Sequence, residues 1–393
     1  MNIEKETTKL IQYCEKQSYR GYDPYDGLNS SIIKVLTLKN KYLRIIATQL
    51  IRRCPVNIRP ILGIKRGENP KGLGLFLWGY TKLYQKDPKP EYRHEVEYLF
   101  SRLEALVSKG YSGFCWGYNF DWQSRTFFRP EGTPTIVNSS FIGHALIDAY
   151  ETFGDRKYLD RALSIRHFIL KDLRRTMHDS NSFCFSYTPV DTAVVHNANL
   201  LGAALLIRLF KHCQEPEVKQ AALSSLSYSM KHQREDGSWY YADTPSEKWI
   251  DSFHTGFNLQ AIRYFLSEGF GEEYREGYNR GVNYYAENFF LNDGTPKFFH
   301  NRTYPVDFHS PAQAIVFFSG EGEQYQGLTN RILKWTMDNL YSGKGWFYFR
   351  KSPGYTNKIS YMRWTQSWAF HALTEFLLNQ NACKNSENVV INS

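Results

Sequence analysis

The chain has 393 residues, 42% hydrophobic, 22% charged and 16% aromatic, a balance that excludes a disordered or fibrous chain and allows a large buried core. Its formal net charge of +9 favours anionic partners: an acidic oligo- or polysaccharide, a lipid- or nucleotide-linked sugar, a nucleic acid or a membrane surface. No contiguous Lys/Arg block and no RNA-binding signature is present, so nucleic acid is not expected.

The first stretch, "MNIEKETTKLIQYCEKQ", reads as an amphipathic helix carrying acids, without the apolar centre of a signal peptide. With "YDPYDGLNSS" after it, residues 1–36 are expected to form an extra N-terminal helix and a lid segment. No window has the apolar length of a membrane span, so no transmembrane segment is expected. Cys14, Cys54, Cys115, Cys184, Cys213 and Cys383 are scattered without a CxxC pair. That spacing argues against a zinc ribbon or a disulfide framework, and points to a reduced, cytoplasmic protein without metal or other cofactor.

From residue 37 to 380 one order of elements recurs. An amphipathic helix such as "YRHEVEYLFSRLEALVSK" or "EEYREGYNRGVNYYAENFF" leads into a Gly- and aromatic-rich loop, and the loop into a more apolar helix with a polar start. The apolar helices are expected to begin near Asn69, Pro134, Asp191, Trp249, Tyr304 and Ser360. A period of roughly fifty to sixty residues marks a helical repeat array. Apolar second helices with variable loops fit an inner ring better than an open solenoid. The predicted fold is all-α, an (α/α)6 toroid with aromatic-rich loops at its mouth, built as one domain over 37–380. Residues 381–393 are polar and are expected to be a disordered tail. In this architecture most of the chain resembles the six-hairpin glycosidase-like superfamily, and the resemblance implies a carbohydrate-active enzyme.

In such a ring the first turns of the inner helices line a central pit, with free N–H groups and positive dipole ends that favour carboxylates. Asp191, Asp251 and Asp307 suit helix capping by themselves. Capping does not require the histidines His196, His254 and His309 that follow them. Two mechanisms fit this composition. Hydrolysis needs two carboxylates about the scissile bond, for which Asp121, Asp251 and Asp307 are candidates. Proton abstraction at C5 of a uronic acid, for epimerisation or elimination, needs donors to neutralise the carboxylate and His or Tyr as acid and base. Here the candidates are His196 or His254 with Tyr240 or Tyr348. Substrate binding is expected from Arg363, Arg350, Arg125, Asn197, Asn138, His309 and the aromatic platforms Trp239, Trp346 and Trp364. His144 and His371, deep in their helices, read as core residues.

The stretch "WFYFRKSPGYTNKISYMRWTQSWAFHAL" resembles the end of D-glucuronyl C5-epimerases, with Tyr348, Arg350, Asn357, Arg363, Trp364 and His371 in similar order. Tyr348 and Arg350 stand one residue closer than in that family. "TPTIVNSSFIGHALIDAYETFG" is similar to an inner helix of the same family, with Ser139 or Ser140 where the family has Gly. The resemblance implies an enzyme of bacterial-type surface-polysaccharide metabolism acting on a uronic-acid-containing glycan, and a substrate-binding role for Arg363. A glycoside hydrolase, or a non-catalytic glycan-binding or scaffolding toroid, stands as the alternative.

Overall fold

The computed structural model describes residues 2–124 and 128–391, with side chains to residue 380. Its helices are α1 (Ile3–Lys16), α2 (Ser31–Leu36), α3 (Lys41–Arg53), α4 (Pro70–Lys86), α5 (Pro90–Ala105), α6 (Ile136–Phe153) and α7 (Arg156–His167). They continue with α8 (His196–Cys213), α9 (Pro216–Lys231), α10 (Ser252–Ser267), α11 (Arg275–Asn288), α12 (His309–Ser319), α13 (Gln326–Leu340) and α14 (Ser367–Ile391). A wide π-type turn, Met362–Gln366, leads into α14.

Local sequence explains these starts. Asn69 caps α4 by accepting from the amides of Lys71 and Gly72, with Pro70 at the first helical position. Thr135 caps α6 through the amide of Asn138, and Asp251 caps α10 through that of His254. The capped helices are apolar on nearly every face: α4 is buried from Pro70 to Leu83 and α12 from His309 to Phe318. Such helices need a partner on all sides, and the ring supplies one. Helices α4, α6, α8, α10, α12 and α14 each pack on the next, and α14 packs back on α4. The outer layer lies on them in the same sense, with α5 on α4, α7 on α6, α9 on α8, α11 on α10 and α13 on α12.

Helix α1 takes the remaining outer position, against α14. Leu10 and Cys14 are buried there, and the Tyr13 hydroxyl donates to Ser360 Oγ at 2.9 Å. The hydroxyl of Tyr80 on α4 donates to Glu15 at 3.0 Å. Although the sequence sets it apart as an extra helix, α1 packs as the sixth outer helix of the ring. Helix α14 runs to Ile391, through the segment whose composition suggests a disordered tail; no Gly or Pro stands there to stop it.

The strands are short and belong to loops. Trp122–Gln123 pairs with Phe128–Arg129, and Arg175–Asp179 with Ser182–Phe185, both antiparallel. A three-stranded sheet sets Asp307 opposite Arg350 and Arg350 opposite Asn357. This last register brings the loop before α12 beside the loop before α14.

Deeper along the inner helices lie His144, midway along α6, and His371, in the second turn of α14, both buried as the sequence suggests. Arg208 donates to His144 Nδ1 at 3.2 Å, which requires a neutral ring, and His144 stacks on Tyr264. His371 packs 4.5 Å from Trp78. Burial, followed by the nearby cations Arg208 and Lys82 respectively, holds both rings well below the ordinary histidine value. A ring so held binds its proton less readily folded than unfolded. As pH falls below about 6.5 the unfolded chain is protonated first and stability drops, by up to about 1.4 kcal/mol per pH unit for each site. Urea midpoints should therefore fall between pH 7.5 and 5.5, and His371→Leu should flatten the fall; equal slopes in the two proteins would rule this account out.

Candidate functional site

The loops before the inner helices gather at one end of the ring, and residues 17–69 cross that end as a strap. The site is built on the first turns beneath it. Asp251 has one oxygen on the His254 amide at 3.0 Å and the other on His254 Nδ1 at 2.6 Å. Trp249 Nε1 donates to that second oxygen at 3.0 Å. The Asp251 carboxylate is therefore saturated and 1% exposed, while the His254 side chain remains 20% exposed. Tyr241 stacks on Trp249 and lies 4.6 Å from the His254 ring. With Nδ1–H donated to Asp251, His254 presents the lone pair of Nε2 for proton transfer.

Asp307 lies in the neighbouring sector. It accepts from Arg350 Nη2 at 2.8 Å and from Trp364 Nε1 at 2.7 Å, with Arg52 at 3.7 Å. His309, one turn into the pit, packs on Trp364 at 4.0 Å and on Trp368 at 4.9 Å. Phe253 touches both histidines, at 4.1 Å from His254 and 5.2 Å from His309. Burial, with Lys71 and Arg363 nearby, holds His309 well below the ordinary histidine value, so it is neutral; its Nδ1 has no partner.

The floor of the pit is Lys71, whose amine lies 4.2 Å from the Phe141 ring, 5.2 Å from Trp368 and 5.5 Å from Phe257. No carboxylate pairs with it among the described residues, and burial, then Arg363, holds it well below the ordinary lysine value. In the first turns of α6, α8 and α14, Asn138, Asn197 Oδ1 and Trp368 Nε1 are buried without partners. Unpaired buried polar groups cost about 1–3 kcal/mol each, and such groups suit the hydroxyls of a polar ligand.

Arg363 donates Nε and Nη2 to the two oxygens of Asp23 at 2.5 and 2.8 Å, beneath the surface. Arg59 holds the same strap, donating to Asp26 at 2.6 Å and to the Asp23 carbonyl at 2.9 Å. The cavity beside Arg363 and Asp23 is about 10 Å3, room for roughly one water. A second guanidinium, Arg129, is buried among Tyr118, Trp122 and Tyr187, at 4.7, 4.5 and 5.6 Å. Its Nη1 is unpartnered, and no carboxylate pairs with it among the described residues.

The sequence-predicted residues divide accordingly. The pit brings together Asp251, His254, Asp307, His309, Arg350, Arg363, Trp364, Asn138 and Asn197. Arg350 and Arg363 are each committed to a carboxylate, so neither presents a free fork. His196 is not in the pit: it turns outward onto α9, with Nε2 3.0 Å from Asp243 and Nδ1 facing Ser229. Tyr240 is also outside, with its hydroxyl on Arg234 and its ring under Arg234 and Lys248. Tyr348 packs beneath Lys358 and bonds through its amide to the end of α13. Trp239 is buried against Gly281 of α11, its indole donating to the Ser229 carbonyl of α9 at 2.9 Å. Trp346 packs at a tilt against Tyr13 of α1, ring centroids 5.4 Å apart. These loop aromatics pin loops to outer helices and do not make an aromatic groove. Arg125 lies outside the described residues.

Sequence reasoning missed Asp23, Arg52, Arg129, Tyr241, Trp249 and Trp368; it puts Lys71 among the pit residues by its position in the first repeat, without a chemical role. Lys71 had a legible signal, a lone lysine in the first turn of the otherwise apolar "PKGLGLFLWGY". The others depend on which way loops fold back.

No family model matches the chain, and no curated protein sequence matches it. Solved structures do. The cellobiose 2-epimerase of Bacillus thermoamylovorans superposes with a TM-score of 0.63 at 13% identity, over 80% of this chain and 88% of its own. A family 76 α-mannanase of Bacteroides thetaiotaomicron gives 0.65 at 13%, over 82% and 90%. A polysaccharide lyase gives 0.55 at 13%, over 80% and 90%. At this identity the likeness establishes the fold alone: the chain is an (α/α)6 toroid.

The placement of Trp239 has a direct check. Trp239→Ala should cost about 3–5 kcal/mol of stability, as for other buried tryptophans, and leave any ligand binding at the pit by the surviving folded fraction unchanged. A variant of native stability with weakened binding would return Trp239 to the mouth.

Proposed function

We propose that this toroid is a carbohydrate-processing enzyme that moves a proton at a sugar carbon, in the manner of an epimerase or a lyase. The observation that carries the reading is the His254–Asp251 pair at 2.6 Å on the wall of the pit. Asp251 fixes the tautomer with Nδ1 protonated and stabilises the imidazolium that forms when Nε2 takes a proton. Neutral His309, across Phe253, would be left an imidazolate if it gave up its proton, so it is placed to hydrogen-bond a sugar hydroxyl and not to act as the acid. Lys71 and the amides of Asn138 and Asn197 would hold sugar hydroxyls. Tyr241, kept protonated by burial, can donate but does not suit a base.

Paired-carboxylate hydrolysis has less support. Asp251 is saturated by His254 and Trp249, and Asp307 by Arg350 and Trp364. Neither carboxylate is free as acid or nucleophile. Structures of this fold include epimerases, a lyase and glycoside hydrolases, so the fold alone does not choose between these chemistries.

A uronic-acid substrate is favoured by Arg129, a buried guanidinium with an unpaired Nη1 beside the pit. Arg363 has the right fork, but Asp23 already occupies it. A uronate carboxylate would therefore be met by Arg129, with Arg363 available only where the strap moves.

The test is solvent-hydrogen exchange. Uronate-containing oligosaccharides incubated in deuterated water should incorporate deuterium at C5. His254→Gln should lower the rate by at least about a hundredfold, the usual contribution of a general base, with an unchanged melting curve. Asp251→Asn should act in the same direction, by releasing the ring. Full exchange in His254→Gln, together with release of reducing ends that Asp307→Asn abolishes, would move the reading to hydrolysis.

The substrate class has its own check. Arg129→Gln should raise KM for an acidic oligosaccharide at least about tenfold and leave a neutral one unaffected, since a charged hydrogen bond contributes about 1.5–3 kcal/mol. Equal effects on both would remove the uronate reading.

A further inference from the structure

The segment Ser31–Arg66 is built inside out. Of the large hydrophobic side chains exposed among the described residues, most lie between Ile32 and Ile61. Helix α2 buries none of its residues. On α3, Thr48 and Ile51 face the protein, while Tyr42, Ile46 and Leu50, spaced four apart on one stripe, face outward with Leu43 beside them. Val35 is 70% exposed, Leu38 78%, Leu50 66% and Ile61 81%. A water-facing helix normally has its polar side outward, and here that arrangement is reversed.

The charge of the segment is equally one-sided. It contains nine Lys and Arg and no Asp or Glu, whereas the remaining 39 basic residues of the chain equal its 39 acids. The whole net charge of +9 is therefore the charge of this segment. No contiguous basic run announces it, because apolar residues separate the cations. Arg59 and Arg52 turn inward to Asp26 and Asp307, and Lys34 meets Asp121. Lys39, Arg53 and Lys65 are exposed without a carboxylate partner among the described residues.

We propose that α2, α3 and the turn through Ile61 form a docking surface for an anionic lipid bilayer, on which the toroid sits with its strap side toward the membrane. Aliphatic side chains enter the acyl boundary and the flanking cations meet lipid phosphates, the composition of an interfacial helix. No helix among the described residues is long and apolar enough to cross a membrane, so the attachment is peripheral. A second copy of the chain is a poorer occupant, because pairing this face with itself would bring together two acid-free basic surfaces. A nucleic acid leaves the Ile, Leu and Val side chains without a partner. The proposal stands on this surface alone and does not depend on the sugar chemistry proposed above.

Full-length protein should float with vesicles of phosphatidylcholine mixed with phosphatidylglycerol, and much less with phosphatidylcholine alone. Raising salt should weaken the binding. Ile46→Ser combined with Leu50→Ser should lower partitioning at least about tenfold with no loss in melting temperature, since both side chains are water-exposed. Lys39→Gln and Arg53→Gln should each lower it about fivefold. Failure of the folded protein to float with the anionic vesicles overturns the proposal, as does flotation that none of these substitutions changes. A dimer in solution that the Ile46/Leu50 pair of substitutions turns into a monomer, without vesicle binding, would reassign the face to self-association.

Discussion

The ion pair between Arg363 and Asp23 joins the two ends of the fold. Arg363 stands in the wide turn that opens the last inner helix, and Asp23 stands in the strap that follows the first outer helix. Both side chains are buried, and an isolated guanidinium there would be strongly unfavourable. Breaking such a pair by removing one partner costs about 3–5 kcal/mol, most of it the uncompensated charge left behind. Backbone bridges run beside it, between Gly21 and Gly67 and between Tyr22 and Tyr361. Gly72 lets the first turn of α4 come against the same turn, because a Cβ there would lie 3.3 Å from the Arg363 Cα. This bidentate contact, the two bridges and the Arg59–Asp26 pair together hold the strap over the pit, while packing of α14 on α4 closes the ring.

That contact also sets the electrostatics of the pit. A second cation close to Arg363 would be repelled, and Lys71 and His309 are the groups that respond. Both are buried and both are held toward their neutral forms, with Arg363 among the causes. The pit thus combines a fixed, paired charge at its roof with buried nitrogen groups at its floor whose charged forms are disfavoured. Such a floor can donate to or accept from hydroxyls without the desolvation cost of a buried ion.

The ring was legible in the sequence because its signal is redundant. Six apolar helices with polar starts, each preceded by a charged partner, specify the layers many times over, and the observed starts fall one to seven residues after those expected. The direction of a single side chain has no such redundancy. His196 is the first residue of α8 and His254 the third of α10, about 200° apart around the helix axis. One turns to the outer helix α9 and the other to the pit. His309 opens α12 as His196 opens α8, yet it faces inward, so position within a helix does not fix direction either. The loop aromatics show the same limit. Trp239 and Trp249 flank one turn, and only the second bonds to Asp251, because the chain between them folds back to pair the Tyr241 amide with the Trp249 carbonyl.

Charge adds a distinction that hydropathy alone does not give. Within Ser31–Arg66 the inward cations are answered individually: Arg59 by Asp26, Arg52 by Asp307 and the Tyr25 ring. These acids lie outside the segment and are buried or nearly so, which is what folding requires of a cation turned toward the core. Among the described residues the outward cations Lys39, Arg53 and Lys65 have no carboxylate partner, and the apolar residues between them are exposed. Stability of the ring explains the first group, because each is part of the strap that roofs the pit. It does not explain the second, since exposed Ile, Leu and Val beside unpaired Lys and Arg add nothing to a core and work against solubility. The two faces of the strap therefore answer to different constraints: the inner face to the ring and its site, the outer face to whatever acidic and apolar surface lies against it.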